Sequence, residues 1–517
     1  SSLPEQVGPF PDVPAPALSP VVMSGPLRLQ NLVPGALLEV FVDNVAVLRA
    51  ITPINRMALP PPPEMKLGSA VRVTQQICGA PARPSEELRA RSGTLTMVPQ
   101  SDVRLQQLTG DTTLGGNRPT LNQTFTRYGL PGMDLGVPIE HMGKYYIFFG
   151  DSKQAGASAM IRPIAEVTSY PEDPEAGLAL TFLHEPGLPF ALLPLRILDI
   201  EVRSPIKGFL KALQVEDDSF FVPSGGFSYD GNIYVFVMRK TAHPELDKVG
   251  LSYGLDGYPL PLGPMRVIGG RSIMAWAQDP TGVFDSTEIC DVRDFSFAAM
   301  STRWKFAEVY AKVVAASSLP TLGATGDILL LWGTGAYRRS DICFAWVQLQ
   351  PGRRVPGPEG WQYLSAFGPG DQPLFQGGDM TSAIGLMEYS DQRRQSTSTN
   401  NPNGTTPGKY GFGEFSVTYV PAMNAWLLLS AKHMAVAGWI SGAPWGPWTP
   451  VGEGATVFNI AQLPEVARPT GTYGNYGLDR YYRWDDETGS ETIYHLASFL
   501  GENYGQVNLF RSKITVQ

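Results

Sequence analysis

The chain is 517 residues long, with 55 glycines and 46 prolines, about a fifth of the total against roughly 12% in ordinary proteins, and its charged residues stand at 17% against roughly 25%. That balance excludes long surface helices, while 43% hydrophobic and 10% aromatic content exclude disorder or a collagen-like repeat as the main state. A net charge of −8, with no long run of one sign, argues against nucleic acid as a partner, because phosphate binding needs a concentrated basic surface.

No membrane partner is expected either. The longest apolar stretch, Ala425 to Ile440, is broken by Lys432 and His433 and falls short of the roughly 18–20 residues that span a bilayer. Residues 1–20 carry prolines at a density that suits an extended lead rather than packed structure. This lead and the opening Ser1 fit the mature form of a secreted protein, its signal peptide removed, as well as they fit a trimmed chain. Residues 21–95 change to short alternating runs. Val40-Phe41-Val42 after the Pro34-Gly35 turn, and Val71 to Gln75 after the Pro-rich bend at 60–63, read as half-buried strands of period two. They predict a small β-sandwich, Ig-like, which serves as a spacer or carries a carbohydrate-binding surface.

Residues 96–517 contain a weak internal repeat. Five times a tight turn rich in Gly or Asn leads into a strong hydrophobic strand: MGKYYIFFGDS, YDGNIYVFVM, TGDILLLWGTG, MNAWLLLSA and GSETIYHLASF. The turn centres Gly143, Gly231, Gly326, Asn424 and Gly489 recur at intervals of roughly 65–98 residues, about right for a four-stranded blade with long loops. The expected fold is all-β: a five-bladed β-propeller preceded by the small sandwich, with Val507 to Arg511 supplying a strand that closes the ring. Common propeller signatures are missing, and Trp484-Asp485 reads as a loop.

In a propeller, residues at one end of the first two strands of every blade converge on one mouth. Asp134 lies nine residues before Gly143 and Asp151 eight after it, so a regular hairpin makes them near cross-strand neighbours. Two carboxyls so placed suit glycosidic cleavage, one protonating the leaving oxygen and the other acting as base or nucleophile, with like-charge repulsion favouring one protonated member. Cross-strand neighbours lean towards the short carboxyl separation of a retaining enzyme. The alternative is that Asp134 caps a turn and Asp151 ends a strand.

The same offsets pick Arg239, Thr334, Lys432 and Ala497 after the other turns, and Val222, Ser317, Glu414 and Arg480 before them. Mixed charges suit a polyhydroxylated neutral ligand, since sugar hydroxyls both donate and accept. Glu414 is the best spare carboxylate; its alternative is an ion pair with a neighbouring Arg. Tyr337 beside Arg338, Trp445, Trp448, Tyr473 and Tyr476 could stack on sugar faces or pack between blades. Of five histidines with no metal-binding spacing, His433 falls near the mouth. The cysteines Cys78, Cys290 and Cys343 form no CxxC and allow at most one disulfide. No nucleotide-binding motif or metal motif appears, no cofactor is called for, and Ca²⁺ in the channel has no motif behind it.

At residues 117–152, NRPTLNQTFTRYGLPGMDLGVPIEHMGKYYIFFGDS, the chain resembles glycoside hydrolase family 183, the bacterial endo-D-arabinanases formerly catalogued as domain of unknown function 4185. The likeness lies in a Thr-x-x-Arg-Tyr approach, then Asp-Leu-Gly, then a Gly-turn hairpin ending in Phe-Gly-Asp. VPSGGFSYDGNIYVFV, LLLWGTGAYRRSDICFAWV, GEFSVTYVPAMNAWLLL, APWGPWT and YGQVNLFRS extend it over about residues 100–515, leaving the N-terminal module outside. Ser152 departs from the Thr of many relatives, and the text around 155–215 and 355–405 is insertion-like.

The resemblance implies a five-bladed propeller hydrolase cutting internal α-D-arabinofuranosyl linkages, such as those of mycobacterial arabinogalactan and lipoarabinomannan, and it maps the family's acidic pair onto Asp134 and Asp151. The resulting expectation is a secreted endo-D-arabinanase acting on a polysaccharide. Asp134 and Asp151 would be catalytic, and Arg239, Arg338, Glu414, His433, Tyr473 and Arg480 would bind substrate. A non-catalytic glycan-binding propeller and a glycosidase for another furanoside polymer stand as alternatives.

Overall fold

The computed structural model describes residues 14–18, 27–53, 55–66, 68–77, 81–90, 95–98, 100–113, 118–153, 155, 160–170, 172–185, 192–197, 221–242, 267–291, 305–334, 341–387, 412–432, 435–451, 456–459, 472–485, 488–501 and 504–516. Nearly all regular structure among them is β, apart from a five-residue α-helix at Thr124–Tyr128, the Thr-x-x-Arg-Tyr segment, and short 3₁₀ turns. No described helix is long and apolar enough to cross a membrane.

Five sheets of four to six strands have their inner strands in succession along the chain from Leu135 onward, antiparallel throughout except where Arg196–Ile197 pairs parallel at the outer edge of the second. Each begins at its inner edge with a hairpin whose turn was marked in the sequence: Leu135–His141 with Lys144–Phe149, Phe221–Tyr229 with Asn232–Ala242, Glu308–Ala315 with Asp327–Thr334, and Phe415–Val420 with Ala425–Lys432. In the fifth, Thr472–Gly477 and Arg483–Asp485 pair successively with Ser490–Gly501, so Trp484-Asp485 belongs to a strand, not a loop. All five marked residues have positive φ: Gly143 (78°), Gly231 (73°), Gly326 (69°), Asn424 (46°) and Gly489 (60°). This is the physical content of the repeat, because such turns demand Gly or Asn.

The second strand of each hairpin is buried on both faces, which is why it reads as a continuous apolar run rather than an alternation. In Lys144–Phe149, Tyr146 and Phe148 face one hydrophobic cluster while Tyr145, Ile147 and Phe149 face another. The inner strands of the first and second sheets touch, as do those of the second and third, third and fourth, fourth and fifth, and fifth and first. Five face-packed sheets thus close into a cycle. The terminal strand Tyr504–Val516, which contains the expected closing segment Val507 to Arg511, pairs with Val103–Gln107 and Leu95–Met97 from before the first sheet. The fifth sheet therefore ties the two ends of this unit together.

Residues 17–89 build a three-stranded and a five-stranded sheet that share one core, in which Leu27, Leu29, Met57 and Leu59 of one sheet meet Leu38, Val40, Val71 and Val73 of the other. The lead does not stay unpaired to residue 20: Ala17–Leu18 pairs with Leu27–Gln30, and Gln75 Nε2 donates to the Pro14 carbonyl at 2.6 Å. Leu95–Met97 straddles the expected boundary at residue 95 and belongs by pairing to the fifth sheet. Arg28 donates to the Thr488 carbonyl (2.7 Å) and Trp484 Nε1 to the Ala58 carbonyl (3.0 Å), so the sandwich rests on the fifth sheet.

Candidate active site

The end of the first hairpin away from Gly143 carries both aspartates, but they are not direct partners. His141↔Lys144 through Val137↔Phe148 keep the expected symmetric register; a bulge between Leu135 and Val137 then shifts it, so that Leu135 faces Phe149 and the Gly150 amide donates to the Asp134 carbonyl at 2.9 Å. Leu135 and Gly136 take positive φ at this bulge. Asp151 lies one step beyond, so the two aspartates are near cross-strand neighbours offset by one residue. Bulges re-aim side chains at the ends of sheets. The inner strands of the second and fifth sheets have register shifts at the same end, at Pro223/Gly225 and Tyr473/Tyr476.

Asp134 is half-buried and held from two sides. The Met133 amide donates to the Gly505 carbonyl (2.8 Å), Ser498 Oγ to the Leu135 carbonyl (3.1 Å), and the Tyr473 hydroxyl to Asp134 Oδ2 (3.2 Å). Space is tight: a Cβ at Gly505 would lie 2.7 Å from the Tyr473 hydroxyl and 2.8 Å from Asp134 Cβ. Asp151 is buried, and its Oδ1 accepts from Arg162 Nη2 at 3.2 Å, a charge-assisted bond between two side chains that are 10% and 9% exposed. Burial pulls the Arg162 guanidinium below its usual pKa, opposed by the charge of Asp151 and then by that of Asp134. Arg162 therefore lies within electrostatic reach of both aspartates, and like-charge repulsion is not the whole of their interaction.

Sequence reasoning missed Arg162, which follows the short strand Met160–Ile161 in the text set aside as an insertion. The available signal was a lone guanidinium within the apolar run MIRPIAEV. It missed Glu308 for another reason. The third hairpin is not tight: Ala315 pairs with Asp327, and 3₁₀ turns at Ala316–Ser318 and Pro320–Leu322 fill the connection. Ser317 consequently lies at the turn end, whereas Glu308 pairs with Thr334, whose hydroxyl donates to Glu308 Oε2 at 3.2 Å.

Glu414 is buried immediately before the inner strand of the fourth sheet. Arg480 is not at this end: it sits in the 3₁₀ turn Asp479–Tyr481 and pairs with Glu140 (3.0 Å) and Glu172 (3.2 Å) near the Gly143 turn. The cause is the break between Gly477 and Arg483, which offsets the fifth hairpin from symmetry about Gly489. Arg239 is on the inner hairpin opposite Phe221, its backbone at the Asp134 end; its side chain, and all of Tyr337, Arg338 and His433, lie outside the described residues. Trp445 and Trp448 are buried in the main cluster and pack rather than line a groove. Cys343 is a free, buried thiol, pushed up to about 12 by burial; the Cys78 and Cys290 side chains lie outside the described residues.

No protein-family model matches the chain, and no curated protein matches it. Among solved structures it is similar to the GH43 BlXynB protein from Bacillus licheniformis, with 9% identity over 74% of this chain and 52% of that one and a TM-score of 0.31. It is also similar to an alpha-L-arabinofuranosidase from Lactobacillus brevis (10% identity, 80% and 82% covered, TM-score 0.28) and to a levansucrase mutant from B. megaterium (8% identity, 79% and 88% covered, TM-score 0.35). The chain spans about half the length of BlXynB, the 52% given above. Likeness at these scores carries no argument about activity.

Proposed function

We propose that the five sheets are the blades of a five-bladed propeller and that the chain is a secreted glycoside hydrolase, an endo-D-arabinanase cutting internal α-D-arabinofuranosyl linkages. The observation that carries the reading is the buried Arg162 guanidinium bonded to Asp151 and within electrostatic reach of Asp134, at the end of the hairpin that carries the family resemblance. Two carboxyl groups in unlike settings are what acid-assisted glycosidic cleavage uses. Asp151, bonded to a guanidinium, is placed to work as the carboxylate, and Asp134, bonded to the neutral Tyr473 phenol, is placed to pass a proton to the leaving oxygen. The residues of 96–517 supply the catalytic unit and the sandwich of 21–95 a packed accessory; Arg239, Arg338, Glu414 and His433 remain candidates for holding sugar hydroxyls.

The test is release of reducing ends from D-arabinan. Asp134→Asn and Asp151→Asn should each lower turnover by roughly 10²–10⁴-fold with an unchanged circular dichroism spectrum. Near-normal turnover in both variants would sink the assignment. A panel of other furanoside polymers, run beside D-arabinan, tests the substrate separately from the reaction class.

A further inference from the structure

We propose that Tyr473 is a positioning residue for Asp134, one that fixes the orientation of this carboxyl from inside the fold rather than stacking on a sugar; this rests on the glycosidase reading above. The Tyr473 side chain is 6% exposed and its ring sits in the main hydrophobic cluster, which leaves no face for a sugar ring. Its hydroxyl donates to Asp134 Oδ2 at 3.2 Å. Tyr473 pairs across the fifth sheet with Ser498, and the terminal strand of the same sheet carries Gly505. Three consecutive residues that open the first sheet are thereby held by three groups of the fifth. The Met133 amide meets the Gly505 carbonyl (2.8 Å), the Asp134 carboxyl meets the Tyr473 hydroxyl, and the Leu135 carbonyl meets Ser498 Oγ (3.1 Å).

Two glycines shape the space around the carboxyl. Neither Gly150 nor Gly505 takes positive φ, so close approach rather than backbone conformation calls for glycine at both. A Cβ at Gly150 would collide with Asp134 Oδ1, and one at Gly505 would lie 2.8 Å from Asp134 Cβ and 2.7 Å from the Tyr473 hydroxyl. The carboxyl is thus bounded on its Oδ1 side by backbone and bonded on its Oδ2 side by the phenol, which restricts the rotation about χ2 that an exposed aspartate has. A general acid must meet the leaving oxygen in one orientation, and misplacing a reacting group by about 1 Å can cost ~10²-fold in rate. The phenol bond also favours the charged form of the carboxyl. Tyr473 therefore acts on turnover through the orientation and proton affinity of Asp134, and its burial keeps it out of substrate binding.

The Tyr473→Phe variant removes one oxygen and keeps the ring. On D-arabinan oligosaccharides kcat should fall about tenfold with KM within about twofold, and the alkaline limb of the pH profile should move up by roughly 0.5 unit, because the proton donor Asp134 loses a bond that favours its charged form. Unchanged kcat with an unchanged limb would overturn the proposal, and a raised KM with unchanged kcat would overturn it in favour of sugar binding. Gly505→Ala, whose methyl falls between the phenol and Asp134, should lower kcat as well. The loss in Tyr473→Phe/Gly505→Ala should stay well short of the product of the two single losses, and full multiplication would overturn action through one contact. A further measurement does not depend on activity: Tyr473→Phe should lower the melting temperature, and by about half as much or less in an Asp134→Ala background, whereas equal losses in both backgrounds would overturn the coupling. A wild type that cleaves no glycan ends the glycosidase reading, and the melting temperatures then decide by themselves whether Tyr473 holds Asp134.

Discussion

The two ends of the inner strands are both rich in charge, yet they use it differently. At the Gly143 end the pairs are half-exposed: Arg480 bridges Glu140 and Glu172, Arg483 meets Asp173 at 2.8 Å, and Arg511 meets Glu175 at 2.9 Å. Water and salt screen such pairs, so they contribute little each. At the other end Arg162 and Asp151 are nearly dry, and Glu308 and Glu414 are buried. Charges desolvated there are costly to keep, and a fold that keeps them does so for chemistry or for a specific arrangement. Residue type alone does not separate the two ends; burial does.

The sharpest way to break this contrast is to remove the buried cation. Arg162→Met leaves Asp151 buried without its bonded partner and should destabilise the fold by about 3–5 kcal/mol in urea unfolding, with Asp151→Asn/Arg162→Met regaining part of the loss. A cost under about 1 kcal/mol would place this pair with the screened ones.

Glu491 gives a second and smaller test, because it is the buried exception at the turn end of the fifth sheet. Among the described residues it has no cation and its Oε2 no hydrogen-bond partner, and burial pushes its pKa up to about 7. A carboxyl raised in the folded state stabilises the fold fully below its unfolded pKa of about 4.5 and loses that contribution as pH rises towards about 7. Stability should therefore decline by roughly 1–3 kcal/mol across that window, and Glu491→Gln should flatten the decline, as followed by denaturant unfolding at several pH values. A wild-type curve level from pH 4.5 to 7 would contradict it.

The smallest effect belongs to Arg480→Ala. It should cost no more than about 1 kcal/mol, shrink further in high salt, and leave glycan turnover untouched, since it serves the turn end. Lost activity with intact stability would return Arg480 to the site.

Much of this was legible in one dimension. The five turn residues are visible because positive φ restricts their identity to Gly or Asn, and the strands behind them because burial on both faces leaves an apolar run. Asp134 and Asp151 were found by symmetry about a turn that is tight. The same symmetry failed at the third and fifth hairpins, where a long connection displaced Ser317 and a broken strand displaced Arg480. Arg162 comes from a segment with no pattern at all.

Local conformational preference and hydrophobic run length therefore determined the fold class, the hairpins and the end of the first hairpin where two carboxyls sit, because those properties depend on neighbours in sequence. Only the tertiary structure decided which charges are dry, that Arg162 stands against Asp151, and that Tyr473 of the fifth sheet reaches Asp134. Each of these depends on bulges, connection lengths and the closing of the ring, which bring together residues hundreds of positions apart, as the contact of Tyr473 with Asp134 does.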